Sequence, residues 1–156
     1  MKRIALLVCL FLLIAGCDIS PSVTPQSTAL CKTEIVEVKK PDLSGDVGIN
    51  DIIVPSYLPQ TLSNGKEIPK PSIVKSGDQA TISTNSSVLV EIFYTQDSQG
   101  YPELGKAEVT SQGEGYSLKM RLNAKMACTL TCAGIAKDEL IRIANSFYLE
   151  TGPQVP

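Results

Sequence analysis

Five side chains in this chain have the widest chemical range: Cys9, Cys17, Cys31, Cys128 and Cys132. A thiol can be acylated or alkylated, oxidised to a disulfide, bound to a metal, or activated as a nucleophile. The chain contains no histidine. Ser–His triads, Cys–His pairs, histidine zinc ligands and histidine pH switches are therefore all removed. A metal site made of Cys31, Cys128 and Cys132 without histidine is not expected. Cys128 and Cys132 are spaced C-x3-C, whereas a redox pair is normally C-x-x-C. No G-x-S-x-G nucleophile turn and no phosphate-binding P-loop occurs in the sequence. In Gly113-Glu114-Gly115 a dinucleotide loop would need a third glycine where Leu118 stands. Asp42, Asp46 and Asp51 miss the spacing of a calcium-binding EF-hand and read as loop residues. Asp138-Glu139 reads as the acidic start of a helix rather than an acid/base pair. The chain is thus expected to be no enzyme, with no catalytic residue, no metal ligand and no cofactor.

The cysteines separate by position. Lys2 and Arg3 precede an unbroken apolar run from Ile4 to Ile14, and the small pair Ala15-Gly16 follows. Eleven apolar residues are too few for a bilayer span, which takes about 20, and fit the apolar region of an export signal. Cys17 comes directly after the small pair. Ile14-Ala15-Gly16-Cys17 resembles the lipobox of bacterial lipoproteins. That resemblance implies cleavage after Gly16, a diacylglyceryl thioether on Cys17, and fatty acyl chains such as palmitate at the new N-terminus. Each buried methylene contributes about 0.8 kcal/mol, and more than one chain makes the anchoring stable. Asp18 resembles the signal that retains enteric lipoproteins at the inner membrane, so the expected location is the outer face of the cytoplasmic membrane. The alternative is the outer membrane.

An exported chain enters an oxidising compartment, where free cysteines pair by default. Cys31, Cys128 and Cys132 offer three pairings. Cys128–Cys132 is favoured provided the chain bends after Leu130. Fully extended, the two Cα atoms would stand about 13 Å apart, beyond the ~7 Å reach of a disulfide. A bond from Cys31 to either of the others is the alternative.

The elements that must position these groups follow from composition and pattern. Residues 17–31 form a Ser-, Thr- and Pro-rich tether that cannot bury a core, and residues 32–156 form one extracytoplasmic domain. Of the 14 basic residues, Lys2 and Arg3 leave with the leader, which takes the formal charge from −2 to about −4. A mildly acidic balance with no basic stripe excludes nucleic acid as a partner. Thr33–Val38 reads as a first strand, and Ile52-Ile53-Val54 as a short buried one. Pro55 and Pro59 then hold the chain extended and out of central sheet pairing. Asn64-Gly65 is a turn.

From Ser72 the chain reads as β. The strands are Ile73-Val74, Gln79–Thr84, Ser87–Thr95, Lys106–Thr110, Glu114–Asn123 and a run through Met126, Cys128 and Leu130. In Ser87–Thr95, Val88, Val90, Ile92 and Tyr94 share a face. In Glu114–Asn123, Tyr116, Leu118, Met120 and Leu122 do the same. Lys137–Leu149 changes to helical period, with Leu140, Ile143, Ala144, Phe147 and Tyr148 on one stripe. The expected fold is α+β. A curved antiparallel sheet of five to seven short strands carries one C-terminal amphipathic helix packed on a face.

Two stretches carry a further resemblance. Ile53-Val54-Pro55-Ser56-Tyr57-Leu58-Pro59 opens the region, and Lys137-Asp138-Glu139-Leu140-Ile141-Arg142-Ile143-Ala144-Asn145-Ser146-Phe147 closes it. Together they resemble a bacterial domain of unknown function found in envelope lipoproteins and in the outer regions of membrane anti-sigma factors. The chain departs from that pattern by lacking a Trp before the final helix, where Cys128 and Cys132 stand instead. The resemblance implies a fold similar to lipoprotein-carrier and sensor domains and supplies no catalytic residues. The expected role is binding or sensing in the cell envelope. The membrane is the partner through Cys17, and an envelope protein or an apolar ligand is the partner of the domain. A carboxylate-dependent envelope enzyme and a purely structural component are the alternatives.

Overall fold

A computed structural model describes residues 31–150, apart from 44–46, 48–50 and 52. The export segment, Cys17, Asp18, the tether up to residue 30 and Asp46 lie outside the described residues. Among the described residues nine strands and one helix follow in order: β1 (Thr33–Glu37), β2 (Ile53–Pro55), β3 (Ser72–Ser76), β4 (Gln79–Ser83), β5 (Val88–Thr95), β6 (Lys106–Gln112), β7 (Gly115–Arg121), β8 (Ala127–Ala133), α1 (Lys137–Ala144) and β9 (Phe147–Leu149). Seven strands form one antiparallel sheet in the order β1-β6-β7-β8-β5-β4-β3. β2 and β9 form a separate antiparallel ribbon. The described part is thus mostly antiparallel β-structure with one short helix near its C-terminal end, broadly α+β.

The register explains the core. Period-two alternation sends every second residue to one face, and the pairings stack those residues across the sheet. One row runs Val109, Leu118, Leu130, Ile92, Ala80. A second runs Ala107, Met120, Cys128, Tyr94, and a third Cys132, Val90, Ile82. All of these are buried. Leu140, Ile143 and Ala144 of α1 join the same cluster. Each large aliphatic side chain so buried contributes about 1.5–3 kcal/mol. The opposite face presents Thr110, Ser117, Thr131, Glu91 and Thr81 as one cross-strand row.

Two expectations need correction. The helix does not continue to Leu149. It ends at Ala144, and Phe147-Tyr148-Leu149 form β9 against Pro55-Val54-Ile53. Aromatic and branched residues favour strands, and the ribbon gives β2 a ladder that its prolines deny it elsewhere. α1 is also less cleanly two-faced than expected, since Glu139 is buried beside Leu140 and Ile143. The second correction concerns β5. Val88 is 56% exposed while Leu89 is 6% exposed. A register shift between Ile82 and Ser83 sets Ile82 opposite Val90 but Ser83 opposite Val88. Such a bulge leaves one extra residue and turns the start of the strand over.

Tyr94 fixes the ribbon to the sheet. Its hydroxyl donates to the Ile53 carbonyl, and its ring meets Phe147 edge-on at 6.5 Å between centroids. The chain leaving β2 at Ser56 therefore starts from a fixed point.

Candidate functional site

Ser56 to Leu58 is held against the end of α1. Ser56 N–H donates to the Ser146 carbonyl at 2.9 Å, and Tyr57 N–H donates to Ser146 Oγ at 3.0 Å. The Tyr57 hydroxyl donates to Glu139 Oε2 at 2.7 Å. Arg142 Nη1 donates to the other oxygen, Glu139 Oε1, at 3.2 Å. A buried carboxylate needs such partners, and here they come from the next turn of the helix and from a residue far away in sequence. Burial, then the charge it donates to, raises Tyr57 above the ordinary phenol range, so the hydroxyl stays protonated as a donor.

Beyond Tyr57 the chain turns at Asn64-Gly65 and returns. The two arms pair at one rung, Thr61 opposite Glu67. Leu62 N–H reaches the Lys66 carbonyl and Ile68 N–H the Gln60 carbonyl, both at 2.8 Å. Pro59 on one arm and Pro69 and Pro71 on the other bring no N–H, so the ladder stops there. The arms part and leave a groove of about 650 Å³, lined by Ser56, Tyr57, Leu58, Gln60, Thr61, Glu67, Ile68 and Pro71. That volume falls within the range of small-ligand sites. Between Pro69 and Pro71, Lys70 holds φ +43°, a left-handed conformation that costs a side chain about 1–2 kcal/mol.

A smaller hollow of about 210 Å³ lies between Lys32, Glu34, Val109, Ser111, Tyr116 and Lys137. Lys137 Nζ closes it on Glu34 Oε1 at 2.8 Å, and that ammonium holds the Glu34 carboxyl below its usual range.

The cysteines do not meet. β8 runs extended from Ala127 to Ala133 and pairs on both sides from Ala127 to Cys132, so no bend follows Leu130. At about 3.3 Å per residue the Cα atoms of Cys128 and Cys132 stand about 13 Å apart. The expected Cys128–Cys132 disulfide is therefore not formed, and both are buried free thiols. A bend would expel Leu130 from between Leu118 and Ile92 and break the ladder. Cys31 is free and exposed, just before β1, and two strands lie between β1 and β8. Bonds from Cys31 to Cys128 or Cys132 are likewise not formed. Burial pushes the Cys128 and Cys132 thiols up from the ordinary thiol range, away from the thiolate that reactivity requires. Among the described residues no group of three or more Cys, Asp and Glu gathers in a metal-holding arrangement.

Glu67, Gln60 and the Tyr57–Glu139 contact do not emerge from the sequence pattern. The available signal is the spacing of Pro59, Pro69 and Pro71 around Asn64-Gly65, a hairpin that cannot close. No family model matches the chain, and no curated protein or solved structure matches it either.

Proposed function

We propose that the chain is a lipid-anchored lipoprotein of a bacterial envelope whose folded part is a non-catalytic binding or sensing domain. The groove under Tyr57 carries this reading. It is a pre-formed concavity beside the end of α1, walled by a residue that the helix itself holds through Glu139. The two stretches that resemble the envelope-domain family, Ile53–Pro59 and Lys137–Phe147, are in contact: Pro55 pairs with Phe147, Ser56 with Ser146, and Tyr57 with Glu139. That juxtaposition supports a shared architecture, with a curved sheet and the helix resting on one face through Leu140, Ile143 and Ala144. A carboxylate-dependent hydrolytic site would need convergent carboxylates, and the groove lining offers Glu67 alone, which supports binding over that alternative.

Cys17 carries the lipid and Asp18 favours retention on the outer face of the cytoplasmic membrane. The tether then sets the groove at a distance from the bilayer. The anchoring is tested by expressing Cys17→Ser. The variant is expected to lose palmitate labelling and leave the membrane fraction; continued labelling would overturn the anchor. The binding role is tested by a photo-crosslinking phenylalanine analogue at Thr61 in cells, with the same analogue at Thr81 on the sheet as control. A discrete adduct from Thr61 and not from Thr81 is expected. Its absence would remove the groove as a working surface.

A further inference from the structure

The groove also specifies the chemistry of its occupant. Beyond the rung at Thr61 and Glu67, the N–H of Leu58 and the carbonyls of Tyr57 and Leu58 make no hydrogen bond among the described residues. The N–H and carbonyl of Leu58, which in an extended chain point away from the side where Tyr57 N–H meets Ser146 Oγ, are thus open to another chain, and Pro69 and Pro71 on the opposite arm bring no N–H to them. Leu58, Ile68 and Pro71 supply apolar wall, and Gln60 and Thr61 supply polar edge. Among the described residues the lining has one formally charged side chain, Glu67. Among the described residues Glu67 makes no ion pair or hydrogen bond through its carboxylate. Lys66 and Lys70, its neighbours in sequence, do not line the groove. An acidic or phosphorylated occupant would find no cation among the lining residues. A buried acyl chain would find half its surroundings polar.

We infer that the groove between Ser56–Thr61 and Glu67–Pro71 takes a short extended peptide segment that carries a lysine or arginine. The segment adds as a strand to the unpaired backbone at Leu58. Its alternate apolar side chains rest on Leu58, Ile68 and Pro71. Its cation reaches Glu67. Strand addition of this kind draws affinity from main-chain pairing and selectivity from alternate side chains, and the lone carboxylate sets the sign of the partner. The inference rests on the binding reading above and names the partner chemistry of that same site.

The test uses the full chain and three probes by fluorescence anisotropy. These are a labelled hexapeptide of alternating valine and lysine, its valine–glutamate counterpart, and the valine–lysine peptide with N-methylated backbone amides. An N-acetylglucosamine tetramer serves as competitor. Saturable binding of the valine–lysine peptide alone is expected, with about tenfold weakening in Glu67→Gln and in high salt. Glu91→Gln, on the far face of the sheet, is expected to leave binding unchanged. Equal binding of the valine–glutamate or N-methylated peptide, displacement by the sugar, an unaltered Glu67→Gln affinity, or no binding at all would each overturn the peptide assignment. If that assignment fails while the Thr61 crosslink persists, the groove binds another class of partner. If the crosslink is also absent, the binding reading falls with it.

Discussion

The Tyr57 hydroxyl and Glu139 Oε2 lie 2.7 Å apart across 82 residues of sequence. This one contact joins the segment after β2 to the helix and fixes one wall of the groove. The acceptor is a charged group in a buried setting, where such a bond is worth about 1.5–3 kcal/mol. Tyr57→Phe keeps the ring and removes the donor. It is expected to lower unfolding free energy by about 1–3 kcal/mol in urea titrations. Glu139→Gln is expected to cost less when combined with Tyr57→Phe than alone, because the shared bond is already lost. Additive losses in that double-mutant cycle would show that the two side chains do not act as a unit.

Thiol accessibility separates the three cysteines of the described part. Cys31 is exposed, whereas Cys128 and Cys132 are buried. Brief alkylation of the native chain followed by peptide mass spectrometry is expected to label Cys31 and to spare the other two until denaturant is added. A mass two units low across the Cys128–Cys132 peptide would restore the disulfide that an extended β8 forbids.

Much of the sheet is legible from local alternation. Tyr116, Leu118, Met120 and Leu122 sit on one face as their spacing predicts, from the half-buried Tyr116 to the fully buried Leu118. Local pattern fails where a distant partner decides. Phe147 and Tyr148 fit a helical stripe, yet β2 recruits them into a ribbon. Val88 fits the alternation of β5, yet a bulge opposite Ser83 turns it outward. Cys128 and Cys132 invite a bond that only a bend would allow, and Leu130 keeps the strand straight through its neighbours on both sides. The groove is the least legible feature. Pro59, Pro69 and Pro71 announce arms that cannot zip, but one wall of the groove is held from another element, through Glu139 on Tyr57.

Alkaline pH is expected to weaken the fold. Burial raises the Cys128 thiol above its ordinary value near 9, and raises Cys132 and Tyr94 as well. A group with a raised native pKa binds its proton more tightly when folded. Its stabilising effect is complete below the unfolded value and is lost as pH rises from there towards the folded value. Stability is therefore expected to hold to about pH 8.5 and to fall above it, by about 1.4 kcal/mol per pH unit for each thiol that ionises only on unfolding. Cys128→Ala, although less stable at neutral pH, is expected to show a shallower decline between about pH 9 and 10. An identical slope in both proteins would mean that the Cys128 thiol is not protected by burial.

Gly115 opens β7 at a point where no side chain fits. A Cβ built there would collide with the Cys132 carbonyl oxygen and stand 3.2 Å from the Ala133 Cα. Both are backbone atoms of β8, which is fixed in the ladder by its partners on either side, so neither can move aside as a flexible side chain would. Gly113, two residues earlier, has φ +56° but open space around it. The two glycines therefore predict different failures. Gly115→Ala is expected to cost about 1–3 kcal/mol by overpacking, read as a lowered denaturation midpoint with an altered environment at Cys132. Gly113→Ala strains only its own turn, by about 1–2 kcal/mol, and Gly113→Asn is expected to recover much of that loss because asparagine tolerates the left-handed region. Gly115→Asn is expected to recover nothing. Equal rescue at both positions would mean that β8 yields at Cys132 and that the close approach of the two strands is not a constraint.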